Sequence, residues 1–109
     1  MVAAAADGQV VIGQLSWIED ADEGACRILG YARDELIGRH GADLVCRVDQ
    51  PSVAASIDRM RRGDIQHRQG RLVRKDGTIV EVEVSANALA DGRLALVLRE
   101  RNDGGPPSA

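Results

Sequence analysis

Two Asp-Gly turns in the last third of the chain, Lys75-Asp76-Gly77 and Ala90-Asp91-Gly92, constrain the fold more than any other feature. Such a turn closes an antiparallel hairpin, and its loop length sets which side chains share a face. A two-residue loop at the first turn puts Leu72 opposite Glu81 and Arg71 opposite Val82, mixing apolar and charged groups on both faces. A three-residue loop closed by a left-handed glycine pairs Leu72 with Val80, Arg71 with Glu81 and Gly70 with Val82, and each face becomes uniform. The same loop at the second turn pairs Ala88 with Leu94, Ala86 with Leu96, Val84 with Leu98 and Glu83 with Arg99. The spacing predicts three consecutive strands with one buried face, made by Leu72, Val80, Val82, Val84, Ala86, Ala88, Leu94, Leu96 and Leu98.

An apolar sheet face needs a cover, and the upstream helices offer the only other apolar faces. Asp22 is suited to accept the free amides of a helix start, Ala25, Ile28 and Leu29 fall on one side, and Gly30 stops the helix. Ala32-Arg33-Asp34-Glu35 has the acid of a capping box without its hydroxyl, which predicts a turn weaker by about 1 kcal/mol than a Ser or Thr version. The longer helix is expected over Pro51–Arg62, with Asp49 ahead of it, Val53, Ala54, Ile57 and Met60 as its apolar stripe, and Gly63 at its end. Arg59, Arg61 and Arg62 are expected to face water. Val10–Ile12 and Leu15–Glu19 read as short strands whose hairpin completes a five-stranded sheet. The expected class is α+β: a five-stranded antiparallel sheet with short helices and one longer helix packed on one face. Residues 1–9 and 101–109 are expected to be flexible segments on either side of one domain, 10–100.

Composition then narrows the function. A chain of 109 residues can bury one core. Fourteen Lys and Arg against seventeen Asp and Glu leave a net charge of −3, which argues against a nucleic-acid surface built on bulk positive charge. Aromatic residues make up 2%, Trp17 and Tyr31 only, too few for a base-stacking platform. No apolar run approaches the roughly 20 residues that cross a bilayer, and Met1–Ala6 is too short for a secretory leader. Cys26 and Cys46 lack the paired spacing of a zinc site and suit reduced thiols in a cytoplasmic protein. Neither His40 nor His67 has a Ser, Cys or Asp placed beside it by the register, and the glycines are scattered at turns, so the chain reads as a non-enzyme.

Three strings, Ala25-Cys26-Arg27-Ile28-Leu29-Gly30-Tyr31, Asp34-Glu35-Leu36-Ile37-Gly38-Arg39 and Gly70-Arg71-Leu72-Val73-Arg74-Lys75-Asp76-Gly77-Thr78, together resemble the PAS domain family of cytoplasmic sensor modules. The match runs from about Val10 to Glu100. The resemblance implies helices packed on one face of the sheet, a cavity between them that can hold a small molecule, and signalling by rearrangement of a dimer. It also implies a neighbouring output domain such as a histidine kinase or diguanylate cyclase. Some positions depart from the family pattern. Asp22 stands for the common Asn, Cys46-Arg47-Val48-Asp49 for His-Pro-Asp-Asp, and Glu100-Arg101-Asn102 for the Asp-Ile-Thr that often ends the last strand, with Gly104–Pro107 following.

Cofactor chemistry is read against the same resemblance. A flavin-adduct photoreceptor of the LOV type needs a reactive Cys in a Gly-Arg-Asn-Cys string, and Gly38-Arg39-His40-Gly41 has glycine there. Haem-binding members draw their iron ligand from the long helix or nearby, and Pro51–Arg62 contains no His. His67 falls on the outer sheet face and His40 in a turn, both as solvated side chains; Cys26 and Cys46 read as buried structural thiols, Tyr31 as a packing residue. Arg71, Glu81, Glu83 and Arg99 read as cross-strand surface pairs.

Candidate cavity residues are Trp17, Ile28, Leu29, Ile57, Met60, Leu72, Val84, Ala86 and Leu96, with Ala86 and Ala88 leaving space opposite Ile57 and Met60; tight packing of that space is the competing reading. Val73, Ile79, Ala95 and Val97 form an apolar set on the other face, a candidate homodimer surface. The expected function is a sensory module that binds a small ligand or relays a signal to an output domain, with a ligand-free dimerisation or protein-interaction module as the alternative.

Overall fold

The computed structural model describes residues 7–64 and 66–101, and its strands are β1 (Asp7–Ile12), β2 (Ile18–Ala21), β3 (His67–Val73), β4 (Ile79–Ala88) and β5 (Leu94–Glu100). They form one antiparallel sheet in the order β2-β1-β5-β4-β3, so β2 and β3 are its edges. Both Asp-Gly turns close as three-residue loops, with Gly77 and Gly92 at φ 90°. The register of β3, β4 and β5 is the expected one, and Glu81 and Glu83 face outward. Ala88, expected inside, is exposed at the open end of β4.

One face of this sheet carries α1 (Glu23–Leu29), the one-turn α2 (Arg33–Leu36), and α3 (Gln50–Arg61), with two 3-10 turns over Gly41–Leu44 and Arg47–Asp49 leading into α3. Asp22 caps α1 by accepting from the Ala25 amide at 2.9 Å, and the same oxygen accepts from the Gln9 amide at 2.9 Å, tying the helix start to β1. Gly30 ends α1 at φ 78°. At α2 only the acid half of a capping box forms: the Glu35 carboxylate accepts from the Ala32 amide at 2.8 Å. The core joins Ile12, Ile18, Ile28, Leu29, Leu36, Val82 and Leu94, all essentially without solvent contact.

Several expectations shift at the N-terminal end. Asp7, Gly8 and Gln9, assigned to the flexible segment, belong to β1, because they extend its ladder onto Arg99, Leu98 and Val97. Residues 1–6 and 102–109 lie outside the described residues. Leu15 is not in a strand: Gly13–Trp17 folds into a tight turn in which the Ser16 amide donates to Gly13 O and the Gly13 amide to Trp17 O, both at 2.9 Å. Leu15 at its tip is 75% exposed, and β2 begins only at Ile18. In α3 the stripe is narrower than expected. Ile57 and Met60 are buried and Val53 half-buried, while Ala54, one step round the helix, is exposed.

Candidate functional site

Between α3 and the inner face of the sheet lies a cavity of about 110 Å³. Its wall is apolar, built from Val10, Ile12 and Ile18, from Leu44, from Ile57 and Met60 on α3, and from Leu72, Val84, Leu96 and Leu98. Five of the nine candidate cavity residues, Ile57, Met60, Leu72, Val84 and Leu96, line it. The other four do not. Ile28 and Leu29 sit in the solid core beneath α1, Ala86 packs half-buried against that core, and Trp17 is 49% exposed on the β1–β2 turn. Trp17 is held there by an isolated bridge to His40 and an edge-on ring contact at 5.1 Å, so the indole is spent outside the cavity.

The strand β3 explains the opening. Its inward positions alternate with outward ones, and the three that pair with Val84, Val82 and Val80 are Arg68, Gly70 and Leu72. Leu72 is floor. Gly70 contributes no side chain, and a Cβ there would meet only Val84 Cγ2, at 3.9 Å. Arg68 places a guanidinium at the mouth, donating to Ser56 Oγ on α3. The parity that puts His67 outward also puts Arg68 inward, a signal the sequence alone carries.

A second bridge crosses the same gap. Arg71 donates twice to the Asp49 carboxylate, at 2.8 and 3.1 Å, joining β3 to the residue that starts α3. That hydrogen bond holds the Asp49 carboxyl below the ordinary carboxylate range and raises Arg71 further. The expected cross-strand pairs therefore gave way: Arg71 reaches round the sheet edge to Asp49, and Arg99 pairs with Asp7 at 3.1 Å. The acids that move the guanidiniums are local ones that strand parity alone does not include.

Arg61, expected in water, is half-buried and closes the other end of α3. It donates to the carbonyl of Gly13, to that of Gly92 at 3.3 Å and to Ser16 Oγ at 3.5 Å, so one side chain fastens α3 to both loop ends of the sheet. Ser16 is held at φ 70°, a left-handed conformation that costs a non-glycine residue roughly 1–2 kcal/mol. Contacts of this kind with Arg61 and the Gly41 amide, 2.7 Å from Ser16 O, fix it.

The remaining candidates are placed as follows. His40 is half-buried and accepts from the Ala42 amide through Nδ1 at 3.1 Å, while His67 is exposed and shares a hydrogen bond with Ser85. Cys46 is buried; Cys26 is only half-buried, and desolvation together with the Asp22 charge pushes its thiol up, away from reactivity. Tyr31 packs under the Arg39 guanidinium, 4.5 Å from the ring centroid. Gly41 lies on the cavity wall at the position where flavin-adduct chemistry would need a thiol. Among the described residues no three His, Cys, Asp or Glu come together as a metal site, and no helix is long and apolar enough to cross a membrane.

The candidate dimer set does not form one stripe. Val73 and Ile79 are direct partners at the Asp-Gly end of the outer face, whereas Ala95 and Val97 lie toward the other end beside Val11, Asn87 and Ser85. Two polar rungs, Arg71–Glu81 and Asp7–Arg99–Glu83–Gln69, run between them. Ala95 is buried, while Ile79 and Val97 are 52% and 38% exposed.

A family model described as PAS fold matches residues 18–98. A domain of a sensory box sensor histidine kinase/response regulator from Geobacter sulfurreducens shares 28% identity, with 87% of this chain and 83% of that one covered and a TM-score of 0.78. The PAS domain of an HTR-like protein from Haloarcula marismortui shares 24% identity over 86% of this chain and 80% of its own, TM-score 0.69. The PAS domain of the RpfR quorum-sensing receptor of Cronobacter turicensis, in complex with C12:0, shares 11% over 92% and 98%, TM-score 0.75. The last two are likenesses of fold. No curated protein matches the chain in sequence.

Proposed function

The chain belongs to the PAS-fold family, and on that premise we propose that it is a sensory module whose cavity beneath α3 takes a small apolar ligand and relays its presence to an output domain such as a histidine kinase or diguanylate cyclase. Members of the family are non-catalytic sensory and interaction modules. The observation that carries the reading is the Gly70 gap: a wall that is apolar away from its Arg68 and Asp49 mouth, and a missing side chain where a leucine or valine would fill the space. An apolar void of this order is large enough for a compound of about benzene size. Occupancy is read by α3, which is held to the sheet by side-chain bridges at both ends, and β4 and β5 carry the change along the sheet. At the far end of β5, Glu100 accepts from Arg74 at 3.1 Å, and Arg74 also donates to Ile28 O at 3.1 Å, so the strand end is linked to α1.

The test is a titration of isotope-labelled protein with 1-hexanol, followed by methyl and amide shifts. Shifts centred on Leu72, Val84, Leu96 and Met60 that vanish in a folded Gly70→Leu variant are expected. Shifts confined to the exposed Leu15 and Trp17 surface, or none, would remove the cavity as a ligand site.

The exposure of Val97 and Ile79 favours a second reading, a ligand-free module whose outer sheet face is covered by a second copy. Sedimentation over a range of concentrations, with Val97→Asp alongside, separates the two: a dimer that the variant breaks supports it, and a monomer throughout excludes it.

A further inference from the structure

Resting on the reading of the cavity as a ligand site, we infer that its ligand is a small monocarboxylate, with an apolar body of about six carbons in the cavity and its carboxylate on Arg68. The positions that β1, β2, β4 and β5 give to the cavity wall are all apolar side chains, and Arg68 brings a guanidinium to that face beside Val84. A cation at the edge of an apolar wall is costly to desolvate and is normally paired. Arg68 has no ion pair among the described residues. Its Nη1 donates to Ser56 Oγ and its Nε to the Gln69 carbonyl at 3.3 Å, which leaves the Nη2 edge of the fork without a partner there.

Charge at the mouth selects the head group. Arg71 is held by both oxygens of Asp49, so that pair is neutral, and Arg68 is the one charge left over among the groups that line the cavity. An ammonium would be repelled by it, and a dianion would leave a charge uncompensated beside Asp49. A single carboxylate meets the planar fork, and the Ser56 hydroxyl, which now accepts from Arg68, still has its proton to donate to the second oxygen. The body then points past Gly70 onto Leu72, Val84, Ile57 and Met60, where it gains by leaving water. A shorter acid would fill the cavity poorly, and a much longer one has no further apolar wall to follow without displacing α3.

Hexanoate, 1-hexanol and hexylammonium share one body and differ in the head, so titrating each into labelled protein at low salt isolates the inference. Hexanoate is expected to bind about tenfold more tightly than hexanol, with hexylammonium weakest, and its advantage to shrink as salt is raised. Arg68→Gln should bring hexanoate down to hexanol and leave hexanol where it was, while Arg68→Lys keeps part of the preference. Equal binding of hexanoate and hexanol at the cavity residues overturns the carboxylate and leaves the cavity reading standing. If no compound shifts the lining residues, the cavity reading itself fails and takes this inference with it. A salt-independent preference in the wild-type protein also counts against Arg68, whether or not the variants fold.

Discussion

α1 and α3 cover the same face of one sheet by opposite means. Where α1 crosses β1 the two backbones touch through glycine: a Cβ on Gly24 would lie 1.9 Å from the Asp7 carbonyl oxygen, and one on Gly8 would lie 2.2 Å from the Ala25 nitrogen. Nothing fits between them, and Ala25 and Leu29 are fully buried. Across the sheet, the Gly70 position has room for a side chain, and α3 is carried by Arg71–Asp49, Arg68–Ser56 and the Arg61 contacts at its two ends. Glycine thus does two different jobs in one sheet. Beneath α1 it permits close docking that leaves no void; beneath α3 its missing side chain is part of the void, and polar bridges keep the helix from collapsing into it.

The comparison breaks most decisively at the flush side. Gly8→Ala must push α1 off β1, and a loss of about 3 kcal/mol or more is expected in urea denaturation; a variant as stable as the parent would mean that the helix docks loosely after all. Truncation of one large residue on each side sharpens the contrast. Leu29→Ala is expected to cost about 3 kcal/mol and Ile57→Ala about 2 kcal/mol, because Ile57 already borders empty space and has fewer partners to lose. Equal losses would deny the difference in packing.

The smallest effect is electrostatic and belongs to the bridged side. The folded-state carboxyl of Asp49 lies below its ordinary value of 3.8, chiefly through the hydrogen bond from Arg71. A lowered folded value means that the bridge contributes its stability in full above that ordinary range and loses it as the pH falls through the folded midpoint. Carboxyl carbon NMR should find the midpoint below 3.8 in the parent and back in the ordinary range in Arg71→Gln. A parent midpoint at or above 3.8 would show that the bridge does not persist in solution.

Much of the fold was legible because the hairpins are local. The parity of Leu72, Val80, Val82 and Val84 against Arg71, Glu81 and Glu83 admits one loop length, and the caps at Asp22 and Gly30 need only neighbours in sequence. The cavity was half legible. Apolar periodicity identified Ile57, Met60, Leu72, Val84 and Leu96, but it gives the same mark to Ile28 and Leu29, which face inward with equal regularity and meet solid packing. Trp17 misled for a related reason, since its size and apolarity suggest burial while the turn that holds it lies at the sheet edge.

By itself the amino-acid order determined the register of β3, β4 and β5, the two ends of α1 and which side of those strands is apolar, all of which follow from periods of two and 3.6 residues and from short-range caps. Only the tertiary structure decided where that apolar side is filled and where it is hollow, and which acid each arginine meets. Those outcomes depend on the spacing between segments far apart in the chain. Arg61 reaches Gly13 and Gly92, and Arg71 reaches Asp49, only after the sheet has brought the loops together. A cavity is the volume that packing leaves over, and no local pattern of residues encodes a remainder.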